Sequence, residues 1–488
     1  MKGKVYKFLE KINYPILAVT LVIVIGSITL FFKPYIGMAN NGDFYRIMIN
    51  NNLYYPDKEQ TDKDYFNYFE KDYGISEFYN DNSKMLVSTQ SLLIKPAILL
   101  DKIFTGNDNI FDIRFLGAIL LIIHALAAYL IIKGLTYDLK SPFNKLIITV
   151  VYILIFMDTG YIAYFNSFFG EGVNIPFFLL SIGIMICMIK FNKVTWYNII
   201  LFSVITYIFI GSKQQLAPTG ILVAILIFRM IRFDKKNNVA IIGFLTIIAV
   251  ILGSLFLYKK IEGDFDYINR YHALNRGILL YESDPEKILE EMGINKQYAL
   301  LQGTNYFEAI SQINLKDENL KKDYYDHFTM GKIVAYYVKH PSKIYKMAKI
   351  GFKNAYYIRP AVLGNYERSA GKEPGEKSYF FSTWSSFKTY LLPKNLNLSI
   401  VYIIILAWPV MKIYFRERKE KNGIESLMGE LFIYIFLVGL LQIIASLVGA
   451  GDADLTKHEF MYNMSFDMMV ILFTYSHFKL KEEKKEEK

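Results

Sequence analysis

Isolated carboxylates stand at the ends of long apolar runs, where an acid is costly unless it is solvated or paired. Asp43 follows the first apolar run in "NNGDFYRI", and Glu171 lies in the short, nearly apolar turn "FNSFFGEGVNIPFF". Asp158 precedes the same turn in "FMDTGY". A carboxylate held at a membrane face can accept a proton from a hydroxyl group or help to bind a cation. Each acid also has a plainer interpretation as a helix cap or a solvated loop residue.

Amines and an imidazole occur at the ends of later apolar runs. Lys213 lies in "SKQQLAP", and "GDADLTKHEFMYN" carries Asp454, Lys457 and His458. An amine close to a carboxylate fits the binding of a phosphate, although snorkelling to the lipid headgroups is the alternative for Lys213. Asp454 and His458 together are weak grounds for a metal site, because two possible ligands at this spacing are common.

A basic stretch in the second half of the chain is a further candidate for binding a lipid phosphate. "NRYHALNRGILL" carries Arg270 and Arg276 shortly after an apolar run. A solvated helix face would show the same pattern. Asp467 lies deeper in the last apolar run, so it needs a partner in a wet cavity or in the helix bundle.

The composition places these residues in a membrane protein. Of the 488 residues, 53% are hydrophobic and 16% are aromatic, and the mean hydropathy is +0.24. The formal net charge of +10 comes from short basic clusters between apolar runs, a pattern that orients membrane helices and is no sign of nucleic-acid binding. The single cysteine, Cys187, lies in an apolar run and excludes both a disulfide framework and a cysteine metal cluster.

The apolar runs predict ten transmembrane helices, and several runs reach the roughly 17–25 residues that a bilayer requires. The first run lacks a good cleavage site, so we expect an uncleaved anchor in place of a signal peptide. The predicted spans lie at about residues 14–32, 114–132, 146–165, 173–190, 197–214, 216–232, 239–258, 398–415, 427–449 and 463–478.

The basic clusters alternate between successive connections of these spans. One set comprises the N-terminus, the connections near 133–145, 190–193, 229–236 and 416–421, and the C-terminal tail. The short connections of the other set contain few lysines and no arginine. The positive-inside rule therefore predicts that both termini are cytoplasmic and that the candidate residues face the extracytoplasmic side.

The predicted fold is an all-α polytopic membrane protein with three regions. An N-terminal transmembrane module, 1–258, has seven spans and a long first external loop, 33–113. An extracytoplasmic, mostly helical domain follows at 259–397, and a three-span module with a charged cytoplasmic tail ends the chain at 398–488.

Local patterns predict the character of the external segments. "QSLLIKPAILLDKIF" is amphipathic but too short and polar to span, which indicates a helix in the membrane interface. "DPEKILEEMG" and "FTMGKIVAYYVKHPSKIYKMAKIGFKNAYYI" predict helices, and "GNYERSAGKEPGEKS", residues 364–378, predicts an exposed loop.

This order of features resembles the GT-C superfamily of integral-membrane glycosyltransferases. The features are a first span, an external Asp, a long loop with an interfacial helix, "FDIRFL" at the second span and the "FNSFFGEGVNIPFF" turn. More narrowly, "NNGDFYRI", "SKQQLAP" and "GDADLTKHEFMYN" resemble the bacterial glycan-biosynthesis hexosyltransferase family called WsfD-like. The resemblance implies a GT-C-like bundle in the bacterial cytoplasmic membrane. It also implies transfer of a hexose from a polyprenyl-phosphate carrier to an extracytoplasmic glycan or glycolipid acceptor.

The resemblance and the residue chemistry together assign an expected role to each candidate. Asp43 is expected to be the catalytic base of an inverting displacement. Residues expected to bind substrate, acceptor or metal are Glu171, Asp158, His458 and Asp454. Residues expected to bind the lipid phosphate are Lys213, Arg270, Arg276 and Lys457. A divalent cation, Mg or Mn, is an optional cofactor, and the absence of a P-loop or dinucleotide fingerprint predicts no nucleotide cofactor.

Three alternatives remain open from the sequence. A polysaccharide polymerase or ligase also uses lipid-linked sugars, but basic residues would dominate its chemistry. A transporter or flippase of lipid-linked sugars would carry ionisable residues at mid-membrane and broken helices. A non-catalytic partner of a glycan assembly complex would use all these charges structurally.

Overall fold

The protein is described from a computed structural model. The structure describes residues 2–76, 87–233, 237–260, 263–308, 315, 317–420 and 423–487. Most of these residues are helical, since apolar runs in a membrane satisfy their backbone groups within helices.

The helices up to residue 259 include both long apolar helices and short connecting ones. In chain order they are α1 (Lys2–Glu10), α2 (Tyr14–Phe31), α3 (Phe44–Asn50), α4 (Lys58–Asp64), α5 (Ser91–Thr105), α6 (Arg114–Thr136), α7 (Pro142–Phe156), α8 (Thr159–Ile162), α9 (Gly170–Lys190), α10 (Trp196–Gly211), α11 (Thr219–Met230) and α12 (Asn237–Lys259).

The second half begins with short helices and ends with long ones. Its helices are α13 (Gly263–His272), α14 (Pro285–Glu291), α15 (Glu318–Asp323), α16 (Met330–Lys339), α17 (Pro341–Asn354), α18 (Thr383–Ser386), α19 (Leu396–Lys419), α20 (Gly423–Ala450), α21 (Leu455–His458) and α22 (Phe460–Glu486). Tighter 3₁₀ turns occur at Ala163–Asn166, Gln214–Leu216, Lys296–Leu301, Tyr325–His327 and Arg368–Ala370, and wider π turns at Ala273–Ile278 and Phe387–Leu391.

Within the described ranges, 6 helices are long and apolar enough to cross a membrane: α2, α6, α9, α12, α19 and α20. A seventh span arises if α7 and the bent continuation Thr159–Asn166, which turns by 48°, are taken as one. The apolar helices α10 and α11 are shorter, and α22 is more polar. The chain is therefore a polytopic helical membrane protein, as predicted, whereas the count of ten spans is not confirmed.

One helix bundle unites both transmembrane regions. α6 packs against α2 and α9, α10 connects α9 to α12, and α11 packs between α12 and α20. α19, α20 and α22 pack against one another, and α20 also contacts α9. α9 is the central helix, because 94% of its apolar stretch is buried inside the protein. The corresponding share for α12 is 22%. A helix that is apolar all round is stable in either setting, in a core or against lipid.

The all-α prediction needs one correction in the segment between the first two spans, residues 33–113. We call it the first outer segment, after its predicted location. Its described part contains an antiparallel sheet in the order β1-β2-β3, formed by β1 (Leu53–Tyr54), β2 (Asp72–Ile75) and β3 (Ile110–Asp112). Leu53 pairs with Ile75 in the first register, and Tyr73 pairs with Phe111 in the second. Tyr73 and Phe111 are both buried, so one face of the sheet closes over the bundle.

The segment 364–378 is a loop with residues 371–374 exposed, as predicted, but its ends are docked on the first outer segment. The Gly37 and Ala39 amides donate to the carbonyl oxygens of Asn365 and Gly364 over 3.1 and 3.0 Å. Phe69 N donates to the Tyr366 carbonyl over 2.9 Å. Its glycine- and charge-rich composition correctly indicated a turn-rich segment, but strand-like pairing with the distant first outer segment holds it in place.

The other predictions for the outer segments are confirmed as helices. α5 covers the predicted interfacial stretch and leaves large apolar side chains exposed, namely Leu92, Leu99, Ile103 and Phe104. α14 begins at Pro285, with the Asp284 carboxylate accepting from Lys287 N over 3.1 Å. α16 and α17 are separated at Pro341, whose missing N–H interrupts the helical ladder.

The end of the predicted external region enters the bundle. Lys388 Nζ lies 2.8 Å from Asp467 Oδ1, and both side chains are 0% exposed. Trp384 Nε1 also donates to this carboxylate over 2.9 Å, and Tyr161 donates to it from the broken span. Asp467 thus has the buried partner that the sequence required. We call this set, together with Asp158 and Arg359, the inner polar cluster.

A second ionic network lies at the end of the bundle that is opposite the outer segments. Lys190 Nζ lies 2.8 Å from Asp138 and 2.9 Å from Glu425, and Lys479 lies 3.0 Å from Asp138. These contacts join α9, α20, α22 and the connection after α6. Four basic residues of the predicted cytoplasmic set lie outside the described residues, namely Lys235, Lys236, Lys421 and Lys488.

Replacing Lys388 with Met should strongly lower the thermal stability, because Asp467 would keep a buried charge without its ammonium partner. Breaking such a pair costs about 3–5 kcal/mol. The midpoint of thermal unfolding of the detergent-solubilised protein, followed by tryptophan fluorescence, measures the effect. Lys419→Met, at an exposed lysine of α19, is the matched control. Equal midpoints for the two variants would contradict the structural role of the Lys388–Asp467 pair.

Candidate functional site

Asp43 lies at the start of α3 but does not cap it. Its carboxylate makes no hydrogen bond to the helix backbone and instead contacts Arg46 Nη1 at 3.1 Å. Its second oxygen accepts from Lys457 Nζ, which comes from the turn between α20 and α22. The Asp43 side chain remains 40% exposed. A paired carboxylate that is still open to solvent can meet an incoming ligand.

Aromatic packing holds Asp43 above the turn that precedes α9. The ring of Phe44, the next residue, lies 5.6 Å from that of Phe168 and 4.7 Å from that of Phe169, both edge to face. Lys457 Nζ lies 4.7 Å from the centroid of the Phe169 ring, within cation–π range. The first outer segment, the turn before α9 and the turn after α20 therefore meet at one place.

Glu171 forms the second ion pair of this region. It lies in the first turn of α9, is 0% exposed, and its Oε1 accepts from Lys213 Nζ over 2.6 Å. Its other oxygen, Oε2, has no hydrogen-bond partner among the described residues. Lys213 points inward with 21% of its side chain exposed, so the inward alternative, and not snorkelling, describes it. Glu171 is screened from solvent behind Lys213.

Two glycines allow this close approach. A Cβ at Gly170 would lie 2.6 Å from Lys213 Cγ and 2.9 Å from the Ser212 carbonyl oxygen. A Cβ at Gly172 would lie 2.6 Å from the Tyr164 carbonyl oxygen. A side chain at Gly170 would push the Lys213 segment away from Glu171, and one at Gly172 would displace the turn that carries Tyr164.

The turn after α20 connects the two ion pairs. Asp454 has the left-handed φ of +45°, which an L-residue adopts at some cost. Burial raises the pKa of the Asp454 carboxyl to about 6, with Lys213 opposing this shift and Glu171 adding to it. Asp454 is nevertheless an exposed residue of this turn. Burial lowers the pKa of Lys457 to about 7, while the adjacent Asp43 carboxylate favours its charged form.

His458 is a neutral hydrogen-bonding group. Burial lowers its pKa to about 3, and the nearby Lys213, Lys457 and His272 lower it further. Its Nδ1 lies 3.3 Å from Gln215 Oε1, and its carbonyl accepts from Gln215 Nε2 over 3.2 Å. His458 therefore ties the turn after α20 to the segment after α10 and carries no charge for a phosphate.

We call the resulting assembly the outer polar site. The structure brings together here six of the nine candidates from the sequence: Asp43, Glu171, Lys213, Asp454, Lys457 and His458. Each of the two ion pairs joins parts of the chain that are distant in sequence.

Asp158 does not join this site. Its carboxylate is fully buried and accepts from Gly160 N and Ser385 N, each over 2.8 Å, with Arg359 Nη2 at 3.4 Å. The local cap considered for Asp158 is thus present, and the rest of its capacity is used within the inner polar cluster. These contacts leave no open face for a substrate or a metal.

Arg270 and Arg276 are also engaged elsewhere. Arg270 lies 2.7 Å from Asp266 and donates to the carbonyl oxygens of Tyr325 and Phe328 over 3.0 and 3.1 Å. These bonds hold α13 against the segment that follows α15.

Arg276 lies 2.7 Å from Asp452 and donates to the Gly303 carbonyl over 2.8 Å. It therefore positions the turn that carries Asp454 and Lys457. Both arginines, expected to bind a lipid phosphate, contact protein groups in the structure.

Two further residues of the site were not found from the sequence. With its amide oriented to satisfy both neighbours, Asn41 donates to Asp43 Oδ2 over 3.2 Å and accepts from Lys457 Nζ over 3.1 Å. Tyr164 packs against Phe169, and its fully buried hydroxyl has no partner among the described residues. The position of Asn41 two residues before Asp43 could have indicated its role from the sequence. Nothing in the sequence distinguished Tyr164 from the other tyrosines.

The site does not fit a resident divalent cation. Among the described residues, no three His, Cys, Asp or Glu side chains come together as a ligand set. Asp43 and Glu171 each already face an ammonium group.

Comparison with known proteins places the chain among transmembrane proteins. The family model described as "YfdI N-terminal transmembrane domain" matches residues 3–488. The protein "Uncharacterized protein YfdI" of Escherichia coli (strain K12) is 22% identical over 392 residues, which cover 79% of this chain and 80% of that protein. Neither description names the glycosyltransferase families that the sequence resembles.

The loss of folding stability at acid pH should depend on His458. Its pKa is about 3 in the folded protein, against an ordinary value of 6.5. Between these values the unfolded chain binds a proton that the folded chain does not, so stability is full above about pH 6.5 and falls with pH below it. His458→Gln should flatten the fall of the unfolding midpoint between about pH 6.5 and 4.

The matched control is His477→Gln, at an exposed histidine of α22, which should keep the wild-type slope. His272, whose pKa burial lowers to about 4, accounts for part of the remaining fall. An unchanged slope in His458→Gln would contradict the buried, neutral state of His458.

Proposed function

The chain belongs to the YfdI N-terminal transmembrane domain family, and we propose that within this membrane setting it acts as an integral-membrane glycosyltransferase. It would transfer a hexose from a polyprenyl-phosphate carrier to a glycan or glycolipid acceptor. The observation that carries the proposal is the contact of Asp43 with Lys457, 414 residues later, beside the buried Glu171–Lys213 pair.

The proposed location is the bacterial cytoplasmic membrane, with the outer polar site on its extracytoplasmic side. The basic network of Lys190 and Lys479 lies at the end of the bundle opposite to this site. The positive-inside rule assigns such an end to the cytoplasm. The sugar donor would then be used on the side of the membrane where cell-envelope glycans are assembled.

Asp43 is the proposed base. Its carboxylate is 40% exposed, while that of Glu171 is 0% exposed, so Asp43 is the acid that an acceptor hydroxyl can reach. It would accept the hydroxyl proton as that oxygen attacks the anomeric carbon. The bond from the anomeric carbon to the phosphate oxygen breaks, and its electron pair leaves with the lipid phosphate. A single displacement inverts the anomeric centre.

Lys457 and Lys213 are the proposed partners of the leaving phosphate. Negative charge grows on this phosphate as the bond breaks, and ammonium groups fixed nearby stabilise it. Lys457 is shared with Asp43, so an arriving phosphate competes with the Asp43 carboxylate for the ammonium group. Binding of the donor would thereby free Asp43 to receive the proton.

α5 supports the use of a lipid-linked donor. Its exposed side chains Leu92, Leu99 and Ile103 recur at helical spacing and form an apolar stripe. An amphipathic helix of this kind lies in the membrane interface. α5 belongs to the same outer segment as Asp43, and it packs against α6 and β3 while its apolar stripe stays exposed.

The transporter alternative has specific support of its own. α7 and its continuation Thr159–Asn166 are bent by 48°. Tyr161 of this continuation donates a hydrogen bond to Asp467 of the buried Lys388–Asp467 pair. Broken helices with ionisable groups are features of transporters. Here each charged group of the inner polar cluster is paired with a protein group of opposite charge, which favours a structural role. A polymerase or ligase would rely on basic residues for its chemistry and would use a different acceptor, so product analysis separates it.

Asp43→Asn should reduce hexose transfer by about 10²–10⁴-fold, the range expected for loss of a general base. The assay follows a radiolabelled hexose from polyprenyl phosphate to acceptor glycan in isolated membranes. Asp57→Asn is the matched control, since Asp57 is the N-cap of α4 in the same outer segment and accepts from Gln60 N over 3.0 Å. Transfer at the wild-type rate by Asp43→Asn would remove Asp43 as the base.

Reconstituted liposomes separate the enzyme from the transporter. A fluorescent lipid-linked sugar should stay in its original leaflet whether or not the wild-type protein is present. Rapid movement between the leaflets without an acceptor would favour the flippase.

A further inference from the structure

A cavity of about 600 Å³ lies beside the outer polar site, at the far end of α3. Ligand pockets usually enclose about 300–1,000 Å³. Its walls come from the end of α3, the end of β2, α5 and the loop before β3. None of the residues that line the cavity belongs to the outer polar site.

One face of α5 forms a wall of this cavity. Lys95, Ile98 and Lys102 recur at helical spacing and line the cavity, while Ile94 and Ala97 face the core. The exposed apolar stripe of α5 lies about a quarter of a turn farther around the helix, at 100° per residue. A ligand in the cavity would therefore lie next to the membrane interface without entering the hydrocarbon.

The polar groups of the opposite wall are amides and a hydroxyl. Asn51 is 5% exposed, and its Nδ2 donates to the Ile47 carbonyl over 2.7 Å and to Ser91 Oγ over 3.1 Å. These bonds fix the amide orientation. The Asn51 Oδ1 atom is buried and has no hydrogen-bond partner among the described residues. Since a buried acceptor without a partner is costly, this atom is available to a hydrogen-bond donor, from a ligand or from water.

The donor requirement selects the class of ligand. A fully ionised phosphate only accepts hydrogen bonds, so it leaves Asn51 Oδ1 unsatisfied. A sugar hydroxyl both donates and accepts, which matches amide side chains and the hydroxyl of Ser76 on the cavity wall. The pair formed by Lys102 and Asp108 at 3.3 Å balances part of the charge, so the wall is polar with little net charge.

We infer that this cavity, which we name the acceptor cavity, binds a saccharide portion of the acceptor. Asn51 Oδ1 accepts from a sugar hydroxyl, and Lys95 and Asn109 donate to neighbouring hydroxyls at the rim. This inference rests on the proposed glycosyltransferase function for its role, though not for the binding itself. Asp43 and Asn51 flank α3 and are eight residues apart, so Asn51 lies about 12 Å from Asp43 along the helix at 1.5 Å per residue. The cavity thus binds a part of the acceptor that lies away from the place where the donor sugar reacts.

The test measures binding directly. The full-length protein in lipid nanodiscs is titrated against oligosaccharides released by mild acid from the source cell envelope and labelled with 2-aminobenzamide. Fluorescence polarisation should show saturable binding to the wild type that weakens at least tenfold in Lys95→Ala and in Asn109→Ala. Both residues lie at the rim, and Asn109 is held by its backbone, which accepts from Ile75 N over 2.8 Å.

Matched controls from the same outer segment are Lys58→Ala and Asn67→Ala, which should bind as the wild type does. Asn51→Ala should also weaken binding, and its unfolding midpoint shows whether the fold is kept. Displacement of the label by inorganic phosphate, or absence of saturable binding to the wild type, would overturn the inference.

The two proposals fail in different ways. In the transfer assay, Lys95→Ala and Asn109→Ala should raise the KM for acceptor and leave the KM for donor unchanged, whereas Asp43→Asn should lower kcat and keep oligosaccharide binding. Binding that depends on Lys95 in a protein without transferase activity would refute the function alone. Transfer by cavity variants with an unchanged acceptor KM and unchanged binding would refute the cavity alone.

Discussion

Pairing of opposite charges from distant parts of the chain is the constraint on which this structure depends. A charge removed from water costs several kcal/mol unless a partner and hydrogen bonds compensate it. In this bundle the partner comes from another segment: Lys457 for Asp43, Lys213 for Glu171, and Lys388 for Asp467. Each pair therefore fixes how the outer segments lie on the helices, and the backbone geometry at the glycines of the α9 turn follows from the same need for close approach.

The pairs differ in how far they are closed, and this difference separates structure from function. Lys388 and Asp467 are both fully buried, and a tryptophan and a tyrosine add hydrogen bonds, so the pair holds the bundle together. Asp43 and Lys213 keep part of their surface accessible. A partly open ion pair can exchange its partner for a ligand at a lower cost than a buried one. The outer polar site thus has the features of a place for chemistry, and the inner polar cluster has those of a scaffold.

The sequence predicted what local composition controls. Long apolar runs predicted the membrane helices, and the amphipathic stretch predicted α5. Acids beside the ends of spans identified Asp43 and Glu171 as candidate site residues. It could not identify the ion-pair partners, because pairing across 414 residues leaves no local pattern. The small sheet was missed because β1 has two residues and β2 carries Gly74, too short and too weak a strand signal. Lys388 gave no signal either, since its segment has no apolar run and enters the bundle only through tertiary contacts.

Zero-length coupling tests the central contact most directly. A carbodiimide joins a carboxylate to an amine only where the two groups touch, and it can be applied to intact membranes before digestion and mass spectrometry. We expect an amide link between Asp43 and Lys457 that disappears in Asp43→Asn. Linkage of Asp43 only to lysines of its own outer segment, such as Lys58, with Lys457 joined to other acids, would contradict the convergence of these segments at one site.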